Sequence, residues 1–373
     1  MKRVLIVAPT RRDLLNLADG RILPRYDLVF EERPGLDGVF GSSDSTAALA
    51  VVVADRLRLP GPGYEAFMRC HDKLASRRIQ ERTVPSATPA FAPIDAMRPP
   101  DRAPLAYPFF VKPVQGHLSQ QAYEVDSSER LAEVLAAARR AGFRHLIAEE
   151  LLRGRLVTFE GFVHGGVMTP VGVTDAVLHS NGISFLRFEY PSTLPDAPQQ
   201  RMADVAAQLM PALGFDQSMF NIEFFVAEDG SVTIVEVNGR MASQFAPLVR
   251  AVHGVSTYEL QLELAAGGGP ALPPARPDVV AASFLLRTYH DAIVRSVPDT
   301  APVGEAFPGA HVEVLVREGQ RLSENDDDVL SHRLAVIALS GPDRETLQRR
   351  YEEAVELMPF ELASVPARFH VTS

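Results

Sequence analysis

Between Phe220 and Phe245 the chain reads Asn221-Ile-Glu223-Phe-Phe-Val, then Glu228-Asp-Gly230, then Ile234-Val-Glu236-Val-Asn238-Gly-Arg240. Apolar and polar residues alternate through part of both runs, which is the period of a β-strand with one face on a core. Asp229-Gly230 between two such runs is the chemistry of a β-hairpin turn, because glycine reaches the left-handed conformation that tight turns need. Glu236, Asn238 and Arg240 are spaced by two and so project from one face. Folding back about the turn brings Glu223 opposite Glu236, or within a residue or two of it. Two facing carboxylates repel and destabilise a bare hairpin. They become useful when a hard divalent cation lies between them and shares oxygen ligands with a phosphate. The hairpin is therefore a candidate metal–phosphate site.

Length and charge narrow what could surround it. At 373 residues the chain can hold two or three domains with substantial cores. A net charge of −10 argues against non-specific nucleic-acid binding. An acidic protein can still hold an anionic nucleotide through locally placed Lys and Arg. One cysteine, Cys70, rules out an internal disulfide and fits a reducing compartment. The apolar run after Met1-Lys2-Arg3 breaks at Pro9, too soon for a signal-peptide core, and no apolar stretch approaches membrane-spanning length. A cytoplasmic enzyme or binding protein is expected, with neither nucleic acid nor membrane as partner.

Along the chain, the run after Val4 reads as a buried parallel strand, and 37–41 reads as a later strand of the same sheet with a helix over about 45–57. A helical stretch spans about 64–81, and a proline-rich connector runs over 85–108. A strand follows at 109–112. Asp126 and Glu129 form a capping box for a helix with the apolar stripe Leu131, Val134, Leu135 and Ala138, ended by Gly142. Strands are expected at 145–149, 158–167 and 170–178, a helix at 201–213, strands at about 282–289 and 312–317, and a helix at 343–358. Composition marks 267–277 as a linker.

Five pieces, in this order, resemble the ATP-grasp ligases, in particular their carboxylate–amine (amino-acid) ligase branch with biotin-carboxylase-like architecture. Asp72-Lys73 precedes the connector, Phe110-Val-Lys112-Pro113 looks like the strand of the second nucleotide lysine, and Ile147-Ala-Glu149-Glu150-Leu151-Leu152-Arg-Gly154 resembles the hinge around adenine. Asn221-Ile-Glu223 and Glu236-Val-Asn238-Gly-Arg240 resemble the metal-binding end. The resemblance covers roughly residues 1–360. It implies an α/β and α+β fold: a Rossmann-like N-terminal domain (1–74), a two-part ATP-grasp core (75–268) with a lid at about 108–155, and a C-terminal α+β subdomain (278–373).

It also implies roles. Lys73 and Lys112 suit polyphosphate oxygens as compact point charges. Ser119, in a stretch 116–121 with one glycine where the family has a glycine-rich lid, could donate a hydroxyl. Glu149, Glu150, Leu151 and Leu152 would contact adenine, mainly through backbone groups. An apolar residue, Leu156, stands where a polar ribose contact is usual, which directs attention to Glu160. Glu223, Glu236 and Asn238 are the expected magnesium ligands, with manganese as a possible substitute. Arg240 would stabilise charge on a transferring phosphoryl group, with Asn238 and Lys112 also catalytic. Ser243 lies in the loop that approaches substrate. Arg187 and Glu189, on one strand face, could hold a zwitterion, and Asp175, His179 and Arg287 are weaker candidates of the same kind. Gly239 replaces the more usual proline.

The expected activity is an ATP- and Mg-dependent carboxylate–amine ligase working through an acyl-phosphate, with a carboxylic or amino acid and an amine as partners and a homodimer as a family-level expectation. Two alternatives stand beside it: a biotin-carboxylase-like carboxylase using bicarbonate, and a nucleotide-binding regulatory protein without chemistry.

Overall fold

The computed structural model describes residues 1–18, 21–30, 35–115, 122–179, 184–324 and 331–365. The chain opens with β1 (Lys2–Ile6), α1 (Arg11–Leu17), β2 (Tyr26–Val29), β3 (Gly38–Phe40), α2 (Asp44–Leu57), α3 (Tyr64–His71) and α4 (Lys73–Thr83). It continues through β4 (Phe91–Asp95), β5 (Phe109–Pro113), β6 (Tyr123–Val125), α5 (Ser128–Arg140), β7 (His145–Glu150), β8 (Arg155–His164), β9 (Val167–Leu178) and β10 (Phe185–Tyr190). Then come α6 (Asp196–Leu213), β11 (Ser218–Val226), β12 (Val232–Asn238), α7 (Ala246–His253) and α8 (Thr257–Ala265). The last part holds β13 (Val280–Thr288), β14 (Ala292–Ser296), α9 (Ala301–Ala306), β15 (His311–Val314), β16 (His332–Gly341), α10 (Arg344–Glu356) and β17 (Glu361–Ser364). Two compact units result. The first is Met1–Val173 with Thr193–Ser243 and Thr257–Leu272; the second is Thr174–Ser192 with Gln244–Ser256 and Pro273–Ser373.

In the first unit, β2, β1 and β3 make the expected small parallel sheet around buried Val4, Leu5 and Ile6. Ser43 caps α2 through a reciprocal pair with Thr46, and Arg58 in a left-handed conformation ends it. The helical stretch over 64–81 is two helices, not one. Asp72 adopts an extended backbone, ends α3 and caps α4 by accepting from Ala75 N–H. Its side chain competes with helix continuation, and Lys73 becomes the first residue of α4.

The connector over 85–108 is not featureless either. It contains β4, which lies at one edge of a four-stranded sheet ordered β4-β7-β5-β6. Pro93 fits there because an edge strand can spare a backbone donor. The α5 stripe Leu131, Val134, Leu135 and Ala138 packs on this sheet as its spacing predicts. Its cap is Ser127, which accepts from Arg130 N–H, rather than the expected Asp126–Glu129 box. A hydroxyl one residue nearer the helix takes the next donor along, Arg130 N–H in place of Glu129 N–H.

The hairpin forms in the first of the registers the alternation allows, with Asn221 opposite Asn238 and Glu223 opposite Glu236. Gly230 carries the positive φ of the turn, and Ala227 closes it by accepting from Gly230 N–H and donating to Ser231. Phe224 then pairs with Ile234, which leaves Val235 as an extra residue on β12. This bulge reverses side-chain parity along the strand. Val232 and Ile234 before it, and Val237 after it, all reach one core with Phe220, Ile222, Phe224 and Val226. Glu236 and Asn238 are thereby turned to the opposite face. Deleting Val235 would make Ile234 and Glu236 neighbours on the pairs that Phe224 and Glu223 already define, so every other residue should keep its face and the cost should be the lost Arg77 contact to the Val235 carbonyl, about 1.5–3 kcal/mol. Chemical denaturation would measure this, and a much larger loss would show that the bulge itself holds the two faces apart.

The strand order in this unit is β12-β11-β8-β9. In the second unit the chain of β9 continues at Thr174, and the order is β9-β10-β13-β16-β15, with β14 and β17 as a separate pair. Helix α10 covers the core formed by Ala282, Phe284, Ile337, Leu339, Leu347 and Ala354. The strands β2, β6, β14, β16 and β17, and the helices α1, α7, α8 and α9, are not marked by the sequence pattern.

Candidate nucleotide and metal site

Three neighbouring strands build the centre of the first unit. The register places Thr158, Glu223 and Glu236 in one row across β8, β11 and β12, and Glu160, Asn221 and Asn238 in the next. Because strand residues two apart share a face, all six side chains lie on the side away from the apolar core. Asn238 Nδ2 donates to Asn221 Oδ1 at 3.0 Å, and Asn221 Nδ2 donates to the Arg240 carbonyl at 2.9 Å. Glu160, 2% exposed, accepts from Ala242 N–H at 2.8 Å. The loop after β12 is thus pinned by backbone contacts from two strands.

Burial raises the Glu160 carboxyl to about 8, against the opposing pull of Ala242 N–H and Arg240. Burial also raises Glu223, and the facing Glu236 adds to it; Arg240 and Lys112 offset part of the rise. A pair of carboxylates that cannot comfortably both ionise is the donor set a hard cation relieves, with Asn238 as a neutral oxygen or amide neighbour. Among the described residues, no cluster of three or more His, Cys, Asp or Glu side chains is placed to hold a metal. Two carboxylates suit Mg²⁺, which usually completes its shell with water and phosphate oxygens.

Both lysines lie at this centre, and each has an acidic partner. Lys73 Nζ is 3.0 Å from Glu236 Oε1, and Lys112 Nζ is 2.6 Å from Glu149 Oε2. Glu149 is also held by Arg77 at 2.7 Å. Burial alone would raise the Glu149 carboxyl, but the Arg77 and Lys112 charges overcome it and hold the group below the ordinary carboxylate range. The Glu149 side chain is therefore committed to the two cations. Glu150 N–H donates to Ala90 O, and its carboxylate accepts from Ala90 N–H. Leu151 and Leu152, half-buried, follow directly where β7 ends. Ser119 falls outside the described residues.

Arg240 donates through Nε to Asp44 Oδ1, the first residue of α2. Ser243 Oγ accepts from Arg12 Nη1 at 3.4 Å. Arg77, Asp44 and Arg12 are thus site residues that the sequence reading did not select, and Asn221, named there only as part of a motif, gains a partner in Asn238. Arg77 had a legible signal: four residues after Lys73 on a helix, it shares that lysine's face. Asp44 and Arg12 had none, because their partners are far away in sequence.

Arg187 and Glu189 lie in the second unit and share a strand face as their alternation requires. Glu189 is clamped between Arg187 (2.7 Å) and Arg344 (2.8 Å). Burial would raise its carboxyl, and the two guanidinium groups hold it low instead. A substrate group at either residue would have to displace an existing partner. Asp175 accepts from Ser192, His179 packs near Tyr289, and Arg287 donates to Phe185 O and Ser331 Oγ.

Comparison with known proteins bears on the domain and the fold. Residues 105–247 match the model of the ATP-grasp domain. The chain is 26% identical over 347 residues to an uncharacterised protein of Sinorhizobium fredii, covering 87% of this chain and 68% of that one. It is 28% identical over 256 residues to a D-alanine–D-alanine ligase of Rhodococcus opacus, covering 63% and 67%. Its fold matches the crystal structure of an L-amino acid ligase from Bacillus licheniformis with a TM-score of 0.77 at 17% identity, over 97% of this chain and 98% of that one. Among the described residues no helix is long and apolar enough to cross a membrane. Lys112, the facing carboxylates and Arg240 all fall within residues 105–247, the part of the chain that matches the ATP-grasp domain.

Proposed function

We propose that the chain is an ATP- and Mg-dependent carboxylate–amine ligase that forms an amide bond through an acyl-phosphate and releases ADP and phosphate. The observation that carries this reading is the facing of Glu223 and Glu236 on one strand face, with Lys73 and Arg240 at the same centre. A protein that only stored nucleotide would gain little from placing an arginine beside that carboxylate pair.

Glu223, Glu236 and Asn238 would hold the metal, whose chemistry is to neutralise phosphate charge. Lys73 exchanges its carboxylate partner for polyphosphate oxygens, and Lys112, held by Glu149, turns its remaining donors to them. Leu151 and Leu152, at the end of β7, offer backbone groups and apolar surface to adenine. Arg240 stabilises charge on the phosphoryl group in transfer. An oxygen of the acid attacks the γ-phosphorus of ATP, the bond to the bridging oxygen breaks, and ADP leaves. The amine then attacks the acyl carbon, the acyl–oxygen bond breaks, phosphate leaves and the amine proton passes to solvent. The chain supplies position and charge, and excludes the water that would hydrolyse the acyl-phosphate. Ser243, Arg187 and Glu189 remain proposed substrate contacts, and a cytoplasmic location belongs to the same proposal.

The test is phosphate release from Mg·ATP against pools of amino acids and other carboxylic acids, each with and without amines. Release that requires one acid and one amine is the expected result. Release with bicarbonate alone would replace the ligase by a carboxylase. ATP binding without release from any pool would favour a regulatory protein.

A further inference from the structure

Arg77 is 3% exposed and charged, and nothing in the chemistry above uses it. Its three polar contacts go to three different places. Nε donates to Glu149 Oε1 at 2.7 Å on β7, Nη2 donates to the Val235 carbonyl at 2.7 Å on β12, and Nη1 donates to Gln80 Oε1 on its own helix. Val235 is the bulged residue that turns Glu236 toward the metal face, and Glu149 is the residue that holds Lys112. One turn earlier on the same face of α4, Lys73 meets Glu236.

A buried guanidinium is an expensive way to pack a helix, since apolar side chains of similar volume usually hold such a place as well or better. What the guanidinium adds is geometry. Its planar fork can satisfy acceptors on separate elements at fixed angles, which a single ammonium cannot do. Here it links the strand that ends at the adenine hinge to the strand that carries the metal ligands.

We propose that Arg77 is a positioning residue for Mg·ATP: through Glu149 it sets Lys112, and through the Val235 carbonyl it sets Glu236, so that the phosphate lysine and the metal ligand keep one register. This rests on the nucleotide reading given above. Its consequence is that Arg77 makes metal and ATP help each other to bind.

The experiment measures ATP dissociation constants in excess Mg²⁺ and in EDTA for the full chain and two variants. Arg77→Lys keeps the charge beside Glu149 but cannot also span to Val235. The double variant R77M/E149Q removes both charges, so that neither is left buried and unpaired, and it covers the case in which a single variant fails to fold. Thermal midpoints are recorded without nucleotide. In both variants the factor by which Mg²⁺ tightens ATP should fall by about tenfold, in the range seen when groups that orient metal ligands are removed. A merely structural role would lower the midpoint and shift both dissociation constants together, leaving that factor unchanged, and this result would overturn the proposal. If the wild-type chain binds no ATP in either condition, the nucleotide reading itself fails, whatever the variants do.

Discussion

Glu236→Gln is expected to lower Mg·ATP-dependent turnover by roughly 10²–10³-fold, the scale on which single charge-stabilising groups act, while ATP binding in EDTA stays level or tightens. The two effects have opposite signs for one reason. On the proposed reading the carboxylate would be a ligand of the metal, and its loss would remove the cation that neutralises the phosphates. Without metal the same carboxylate repels ATP and occupies Lys73 at 3.0 Å. The amide repels nothing and leaves the lysine available. Relief of the Glu223–Glu236 opposition should also raise the thermal midpoint of the nucleotide-free protein. Turnover retained within a few-fold would remove Glu236 from the metal site and with it the proposed arrangement of the hairpin.

The second large effect concerns stability against pH. Glu160 is raised in the folded protein to about 8, chiefly by burial. A carboxyl raised on folding binds more protons in the native state than in the unfolded chain. Its contribution is therefore complete below the unfolded value and lost as pH climbs through the folded one. Glu223, also raised, acts in the same direction. Unfolding free energy should accordingly fall between about pH 4.5 and pH 8, by a few kcal/mol for Glu160 at ~1.4 kcal/mol per pKa unit. Glu160→Gln keeps an acceptor for Ala242 N–H but cannot ionise, so its stability relative to wild type should rise steadily across that window. Denaturant midpoints at pH 5 and pH 8.5 decide it. Parallel curves for the two proteins would mean that folding does not raise the Glu160 carboxyl.

The parts of this site that could be read from sequence share one property: their signals are local. The facing carboxylates follow from alternation and an Asp-Gly turn. Lys112 follows from its place at the end of an apolar strand. The α5 stripe follows from helical spacing. The bulge was not legible, because Val235 is one more apolar residue in a run of them and only pairing with β11 exposes it as extra. The cap of α5 was misplaced because Asp126 and Ser127 are both good capping residues, and backbone geometry chooses between them. Strand β4 was hidden by prolines that an edge position tolerates. Asp44 lies 196 residues from Arg240 in sequence, and no periodicity connects them.

That last pair bears on which acids the site can accept. Asp44 is a carboxylate tethered next to the arginine that, on the proposed mechanism, stabilises the phosphoryl group which the substrate's carboxylate attacks. A tethered group competes at an effective concentration that free solutes in the millimolar range do not readily exceed. Acetate or bicarbonate, with a single anionic contact to offer, would lose that competition. An acid that also fills contacts elsewhere in the site would win it, and would hand Asp44 a choice of new partner. The protein would thus screen its acids by the whole of their shape, using a side chain of its own as the reference that every candidate must beat.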